Sequence, residues 1–289
     1  MRYAYYHSCS LRSTGKEYNR SLQAVCGKLG IELVELKDWM CCGAAMAHNV
    51  DNLLALSLPM KNLAEVEKAG FDKLLVPCTA CYARFKVAQY ETEHNPGLKD
   101  EIEDIIEYKF KGKVEVLHPL EALSQDEVLA KIKSQVVKDI SRLKVVSYYG
   151  CLLLRPPKMT GFKDNFEYPV TMDKILIAAG IKTLDWSFKT ECCGGSLSIT
   201  RPDIVCELSQ RIFDNAKEVG ADIISVPCTF CHLNLDARQE EIEKRFEKEY
   251  KIPIFYFTQL VALALGIPQA ELMLDKHFIA ADKVLEKVA

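Results

Sequence analysis

The sequence carries two stretches in which adjacent cysteines precede a glycine, KDWMCCGAAM at 37–46 and KTECCGGSLS at 189–198. Each sits inside a larger set. Cys9, Cys41, Cys42, Cys78 and Cys81 recur in order as Cys151, Cys192, Cys193, Cys228 and Cys231, spaced C-x31-CC-x35-C-x2-C and C-x40-CC-x34-C-x2-C. One C-x-x-C is a weak signal, whereas a five-cysteine set repeated in order is a strong one. Disulfides are the first chemistry to weigh for a chain with twelve cysteines. They need an oxidising compartment and usually a small domain, and a bridge between neighbouring cysteines closes a strained ring. Metal or redox chemistry is the better fit. A structural zinc site closes with four ligands, which would leave one of five thiols idle and strain the adjacent pair around a single ion. Neighbouring irons of a polynuclear cluster suit such a pair, because each thiolate can take its own metal atom. Five thiolates also exceed the four that an ordinary iron–sulfur cluster needs. The set therefore points to an unusual iron–sulfur centre in each half, with a zinc-stabilised scaffold lacking catalysis as the alternative of another class. Gly43 and Gly194, just behind the pairs, would let the backbone approach a cluster closely or take positive φ, or serve as plain turn residues.

These thiols need elements to hold them, and the chain supplies the same elements twice. KLLVPCTACY (73–82) matches IISVPCTFCH (223–232), AYYHSC (4–9) matches SYYGC (147–151), and KVEVLHPLEAL (113–123) matches KIPIFYFTQLVAL (251–263). A repeat in constant order predicts two copies of one unit, 1–143 and 144–289. In the first, strands RYAYYH, IELVELKD and DKLLVP alternate with helices over about 16–29, 50–69 and 80–93. In the second, VVSYYG, KTLDWS and DIISVP alternate with helices over about 172–179 and 203–219 and a charged helix over 229–249. Such alternation predicts an α/β fold of two pseudo-symmetric repeated domains with mainly parallel sheets. Gly30, Gly70, Gly180, Gly220 and Gly266 stand where those helices should end. The important cysteines then lie at the carboxyl ends of strands, the edge where open α/β sheets bind ligands.

Composition narrows the function classes. Hydrophobic residues make up 49% and charged residues 27% of 289, with a net charge of −3 and no basic face to attract nucleic acid. The N-terminus MRYAYYHSCS has no run of signal-peptide length, and the apolar stretch LVALALGI (260–267) is too short to span a membrane. A cytoplasmic protein that does not itself cross the membrane is expected.

The pattern Cys9…Cys41-Cys42-Gly43…Cys78-Thr79-Ala80-Cys81, with its repeat Cys151…Cys192-Cys193-Gly194…Cys228-Thr229-Phe230-Cys231, resembles the cysteine-rich CCG domain. A chain made of two such domains is similar to the family of B-type heterodisulfide reductase subunits from methanogenic archaea, and the resemblance covers essentially the whole sequence. It implies that each five-cysteine set binds a non-cubane four-iron, four-sulfur cluster, with all ten motif cysteines as ligands. It also implies reduction of the mixed disulfide of coenzyme M and coenzyme B to two thiols. The x40 spacing of the second set is longer than the family's, and the extra residues fall in RPPKMTGFKDNFEYP (155–169). The CCG motif alone also occurs in subunits of glycolate, lactate and quinone-linked oxidoreductases, which stands as the alternative function.

Splitting a disulfide takes two electrons, whereas an iron–sulfur cluster normally passes one. Two clusters on either side of the S–S bond would meet that need, and duplication would supply them. The chain has neither a C-x2-C-x2-C-x3-C-P run for cubane clusters nor a G-x-G-x-x-G for a flavin or nicotinamide, so a partner must bring the electrons. The resemblance implies a small iron–sulfur partner of the C type, and beyond it an A-type flavin subunit or a membrane cytochrome. An anionic disulfide would call for cations near the clusters, for which Arg84, Lys86, Arg155, Lys158 and Arg201 stand close to the motifs. His7, His48 and His232 neighbour motif cysteines and are candidates to protonate a departing thiolate. Cys26 and Cys206 fall mid-helix as apolar core residues, and ARQEEIEKRFEKEY (237–250) reads as an exposed helix face with i,i+4 ion pairs.

Overall fold

The computed structural model describes residues 1–288. Its frame is two four-stranded sheets, each wholly parallel. The first comprises β1 (Arg2–Tyr5), β2 (Glu32–Glu35), β3 (Lys73–Leu75) and β4 (Glu115–Leu117), in the order β2-β1-β3-β4. The second repeats it with β5 (Lys144–Ser147), β6 (Lys182–Leu184), β7 (Ile223–Val226) and β8 (Ile254–Tyr256), ordered β6-β5-β7-β8. The central strands are short apolar runs because helices cover both faces, so alternation is lost. All four residues of β7 are buried. Register is fixed from the middle, where Ala4 pairs with both Val34 and Leu74.

The helices fall close to their predicted places: Lys16–Lys28, Asn52–Lys68 and Thr79–His94 in the first half, Thr171–Ala178 and Pro202–Glu218 in the second. The five glycines expected at helix ends all take left-handed φ, between 70° and 79°. Cys26 and Cys206 are buried mid-helix.

One expected helix breaks. The run over 229–249 forms Thr229–Asp236 and Gln239–Phe246 instead. Asp236 ends the first piece by accepting the backbone N–H groups of Phe278 and Ile279. Gln239 is fully buried at the start of the second, where its amide brackets the backbone of Ile252 at 2.9 and 2.8 Å. The charged run also differs from expectation. Two of its ion pairs reach another element, Arg245 to Glu207 and Lys248 to Asp214, and its own helical pair is Arg238–Glu241 at i,i+3.

The halves share one core. Helix Lys16–Lys28 packs on Phe257–Ala264 of the other half, where Ser21 and Thr258 hydroxyls meet at 2.7 Å and the Tyr18 and Tyr256 rings stack at 4.5 Å. Helix Thr171–Ala178 packs reciprocally on Pro119–Leu123.

Candidate metal centres

Every motif cysteine lies on the segment that follows the carboxyl end of a strand. Cys9 opens the short helix Cys9–Arg12 after β1, and the Cys41–Cys42 pair lies in the loop after β2. Cys78 caps helix Thr79–His94, which places Cys81 in its first turn. Cys151, Cys192, Cys193, Cys228 and Cys231 repeat these positions, Cys228 capping Thr229–Asp236. In the first set the Sγ atoms of Cys42 and Cys81 are 3.0 Å apart. In the second, Cys193 and Cys231 lie 3.6 Å apart and Cys151 and Cys192 3.9 Å apart. Each set has a dry floor and an open rim. Cys42, Cys78 and Cys81 are buried while Cys9 and Cys41 are exposed; Cys193, Cys228 and Cys231 are buried, Cys151 is half-buried and Cys192 exposed.

Crowded thiols share protons. Hydrogen bonds from Cys41 and Cys81 pull the Cys42 thiol well below its ordinary range, with the Ala44 amide and the Arg84 cation adding to them. Cys81 holds Cys78 at about 7 in the same way. Cys151 lowers Cys192 and Cys231 lowers Cys193, and the donating thiols are pushed up in turn. Metal ligation requires thiolates, and each set already keeps some of its thiols close to that form. Among the described residues no three cysteine, histidine or carboxylate side chains are gathered for a single ion. Sulfurs spread in pairs over a buried floor and an open rim fit a polynuclear group better than one tetrahedral ion.

The loops bearing the adjacent pairs are pinned identically. The Tyr6 hydroxyl donates to the carbonyl of Met40 at 2.7 Å, and the Tyr148 hydroxyl donates to that of Glu191 at 2.6 Å. Each carbonyl directly precedes its cysteine pair. Asn62, fully buried, adds an amide that holds both the N–H and the C=O of Met40. Gly43 (φ 74°) and Gly194 (φ 91°) turn the chain back, and their N–H groups point at Cys41 Sγ (3.5 Å) and Cys192 Sγ (3.3 Å). Phenylalanine at position 6 or 148 should cost about 1 kcal/mol for the lost hydrogen bond, and more if the buried carbonyl stays unpaired. Denaturant unfolding of Tyr6→Phe and Tyr148→Phe checks this.

The two sets touch. The Thr79 hydroxyl donates to Cys228 Sγ at 2.7 Å, and the Thr229 hydroxyl lies 3.8 Å from Cys78 Sγ. Each C-x-x-C thus reaches across to the other, and the sets stand side by side about a pseudo-dyad.

The expected histidines are scattered. His7 is half-buried with Nδ1 beside Arg12 and Glu35, and His48 is exposed. His232 is buried and kept neutral by desolvation, stacked on Tyr256 at 4.3 Å, with Nε2 unpaired. Of the cations, Arg155 is paired with Glu167 and Arg201 with Asp203. Lys158 is exposed, and Arg84 and Lys86 are half-buried on the helix after Cys81. The residue pattern alone assigned no role to Tyr6, Tyr148, Thr79, Thr229, Asn62 or Asn234. The threonines had a signal in the repeated CTxC; the tyrosines are out of step in the repeated YY, Tyr6 second in its pair and Tyr148 first, because strand register and not the YY run makes them equivalent; the two asparagines had none.

Comparison with known proteins shows the family. The family model described as a cysteine-rich domain, CCG, matches residues 3–86 and again 145–236. The chain is 32% identical over 285 residues to a protein of Wolinella succinogenes named 8-methylmenaquinol:fumarate reductase membrane anchor subunit, covering 98% of each chain. It is 30% identical over 267 residues to the B-type subunit of the Ferredoxin/F(420)H(2)-dependent CoB-CoM heterodisulfide reductase of Methanosarcina acetivorans, covering 90% of this chain and 88% of that one. A crystal structure of a hypothetical protein from Helicobacter pylori shares the fold with a TM-score of 0.76 at 12% identity. It matches 96% of this chain, which spans 52% of that protein. No described helix is long and apolar enough to cross a membrane.

Proposed function

The chain belongs to the cysteine-rich CCG family, carries its domain twice, and on that premise we propose that it is the iron–sulfur subunit of an oxidoreductase complex that reduces a disulfide to two thiols. The ten motif cysteines would hold two four-iron clusters of the non-cubane kind, one per set. The observation that supports the reading is the reciprocal contact of Thr79 with Cys228 and Thr229 with Cys78, which brings the two thiol sets side by side, as two one-electron sites acting on one S–S bond would require. Reduction of R–S–S–R′ takes two electrons and two protons and yields RSH and R′SH. The clusters, when bound, supply the electrons singly.

The protein's own side chains set the stage. Three buried thiols per set form a floor away from water, and the exposed rim at Cys9, Cys41 and Cys192 admits a substrate. Arg84, Lys86 and Lys158 remain to attract substrate anions, because Arg155 and Arg201 already engage Glu167 and Asp203. His232, next to Cys231 in sequence, buried and with an unpaired Nε2, is the candidate to hand a proton to a departing thiolate. Electrons come from a small iron–sulfur partner of the C type, fed by a flavin protein or a membrane cytochrome. The heterodisulfide of coenzyme M and coenzyme B is the substrate that the B-type heterodisulfide reductase relatives support.

A second reading has its own support in the 32% identity to a methylmenaquinol:fumarate reductase subunit over 98% of both chains. There the same two sites would pass electrons from a quinol. Anaerobic purification with iron, sulfide and zinc analysis, then EPR of the oxidised protein with coenzyme M thiol or a menaquinol, separates the readings. Disulfide chemistry requires about eight iron per chain and a new thiol-dependent signal. A menaquinol-dependent signal with no response to thiol would establish the quinol reading instead, and zinc without iron from an oxygen-free preparation would overturn both.

A further inference from the structure

In the second set 40 residues separate Cys151 from the adjacent pair, where 31 separate Cys9 from its own, and the longer segment includes residues 155–169. That insertion is clamped. Lys189 at its base is buried, with Nζ 3.1 Å from both the Pro169 carbonyl and Asp173 Oδ2 and 4.6 Å from the centre of the Tyr168 ring. The Tyr149 hydroxyl donates to the same carboxylate at 3.1 Å. The Lys189 carbonyl accepts the N–H groups of Tyr149 and Gly150, and a Cβ on Gly150 would stand 2.9 Å from Cys231 Sγ. One residue thus ties the insertion to chain that runs against the second set. Arg155 adds an outer latch. Its N–H donates to the Cys151 carbonyl at 3.0 Å, while its guanidinium reaches the Thr190 hydroxyl at 3.4 Å and Glu167 at 3.1 Å. It therefore joins the two segments that bear Cys151 and Cys192 to the tip of the insertion. Helix Pro157–Thr160 braces the insertion on Thr79–His94 of the first half, where the Tyr82 hydroxyl donates to the Thr160 carbonyl at 3.2 Å. Asn234 fixes the facing loop, its Nδ2 donating to the carbonyls of Cys193 and Gly195, both at 3.1 Å. The first half is built otherwise. The place of Lys189, three before the adjacent pair, is held by the exposed Asp38, and that of Tyr149 by His7. The rims differ accordingly, since Cys9 is exposed and Cys151 half-buried.

We propose that the clamped insertion is a wall that distinguishes the two ends of the disulfide, confining the second set to the thiol with the smaller substituent and leaving the bulkier one to the open rim of Cys9 and Cys41. The argument is steric. A loose loop yields to any ligand, whereas one anchored through a buried ion pair yields only by stranding a charge away from water. Phe166 and Tyr168 flank Glu167 at the latched tip and stay about half exposed, so they are the side chains that a bulky group would meet. Lys189, hidden beneath them, is a positioning residue. The inference rests on the reading that the two sets act on one S–S bond, and it adds the direction in which an unsymmetrical disulfide lies between them.

Thiol titrations of the oxidised, cluster-loaded chain followed by EPR test it, with 2-mercaptoethanol as the small probe and the tripeptide glutathione as the bulky one. Cys193→Ala leaves the first set alone and should respond to both at similar concentrations. Cys42→Ala leaves the second set and should need about tenfold more glutathione than 2-mercaptoethanol. Adding Phe166→Ala and Glu167→Ala to Cys42→Ala trims and unlatches the tip, and should bring that ratio down to the value of the first set with iron unchanged. Lys189→Met together with Asp173→Leu removes the clamp without leaving a buried charge unpaired, and should do the same. Equal ratios in the two single-set chains would overturn the proposal, as would a ratio that survives both loosened variants. If the Lys189 variant loses iron, the tip variant decides alone, because both of its side chains are exposed. Iron-loaded single-set chains whose signals respond to neither thiol would instead remove the disulfide reading, and the wall with it.

Discussion

Alanine in place of Cys42 should halve the bound iron, from about eight per chain to about four, and lower turnover by more than about 100-fold. The factor exceeds what removal of an outer-shell partner typically costs, about 10- to 100-fold, because a ligand itself is lost. Cys42 is the buried member of the first adjacent pair, 3.0 Å from Cys81, so its removal opens the dry floor of that set. Cys193→Ala should do the same to the second set, leaving the EPR signal of the first. Cys26→Ala is the control, since Cys26 is buried mid-helix outside either set, and it should retain full iron. Two sites acting on one two-electron substrate predict that either single loss abolishes turnover, rather than halving it. A Cys42→Ala chain with four iron and half the activity would show that the sites work independently. One with full iron would remove Cys42 from the ligand set.

Gly194→Ala should be strongly damaging for so small a substitution. Its φ of 91° is a left-handed conformation, and a Cβ there would stand 2.6 Å from Val205 Cγ2 and 3.1 Å from the Val205 Cα. The strain costs about 1–2 kcal/mol and the overlap about 1–3 kcal/mol more, for a total of roughly 3 kcal/mol. The neighbouring Gly195 is the internal comparison, with a positive φ but open space where its Cβ would go. Gly195→Ala should therefore lose only the strain term. Thermal unfolding of both variants, with iron retention measured alongside, checks the difference. Equal melting temperatures would show that the loop yields at Val205 instead of resisting.

Much of this was legible from residue order. The repeat of five cysteines with YY and CTxC anchors gave two like units, and apolar runs ending at cysteines gave strand ends converging on one edge. What stayed hidden depends on contacts between distant positions. Nothing in the sequence tells that Tyr6 will meet the carbonyl of Met40, because the path of the intervening chain decides it. The break at residues 237–238 was missed for a similar reason. The run is helical by local preference, and two backbone amides more than 40 positions away capture Asp236.

The interlocking of the halves has a consequence for how the chain is made. Ser21 meets Thr258, 237 positions later, and Thr79 meets Cys228, 149 positions later. Synthesis proceeds at roughly 5–20 residues per second, so the inward face of helix Lys16–Lys28 waits roughly 10–50 seconds for the segment that covers it. Contacts this remote in sequence also form slowly. During that interval the first half presents apolar surface and unprotected thiols to the cell. Neither thiol set has its complete surroundings until the second C-x-x-C has been translated and docked. On the cluster reading, metal loading is a late event of maturation, and a chain truncated before Cys228 should fail to assemble even the site whose five cysteines it already contains.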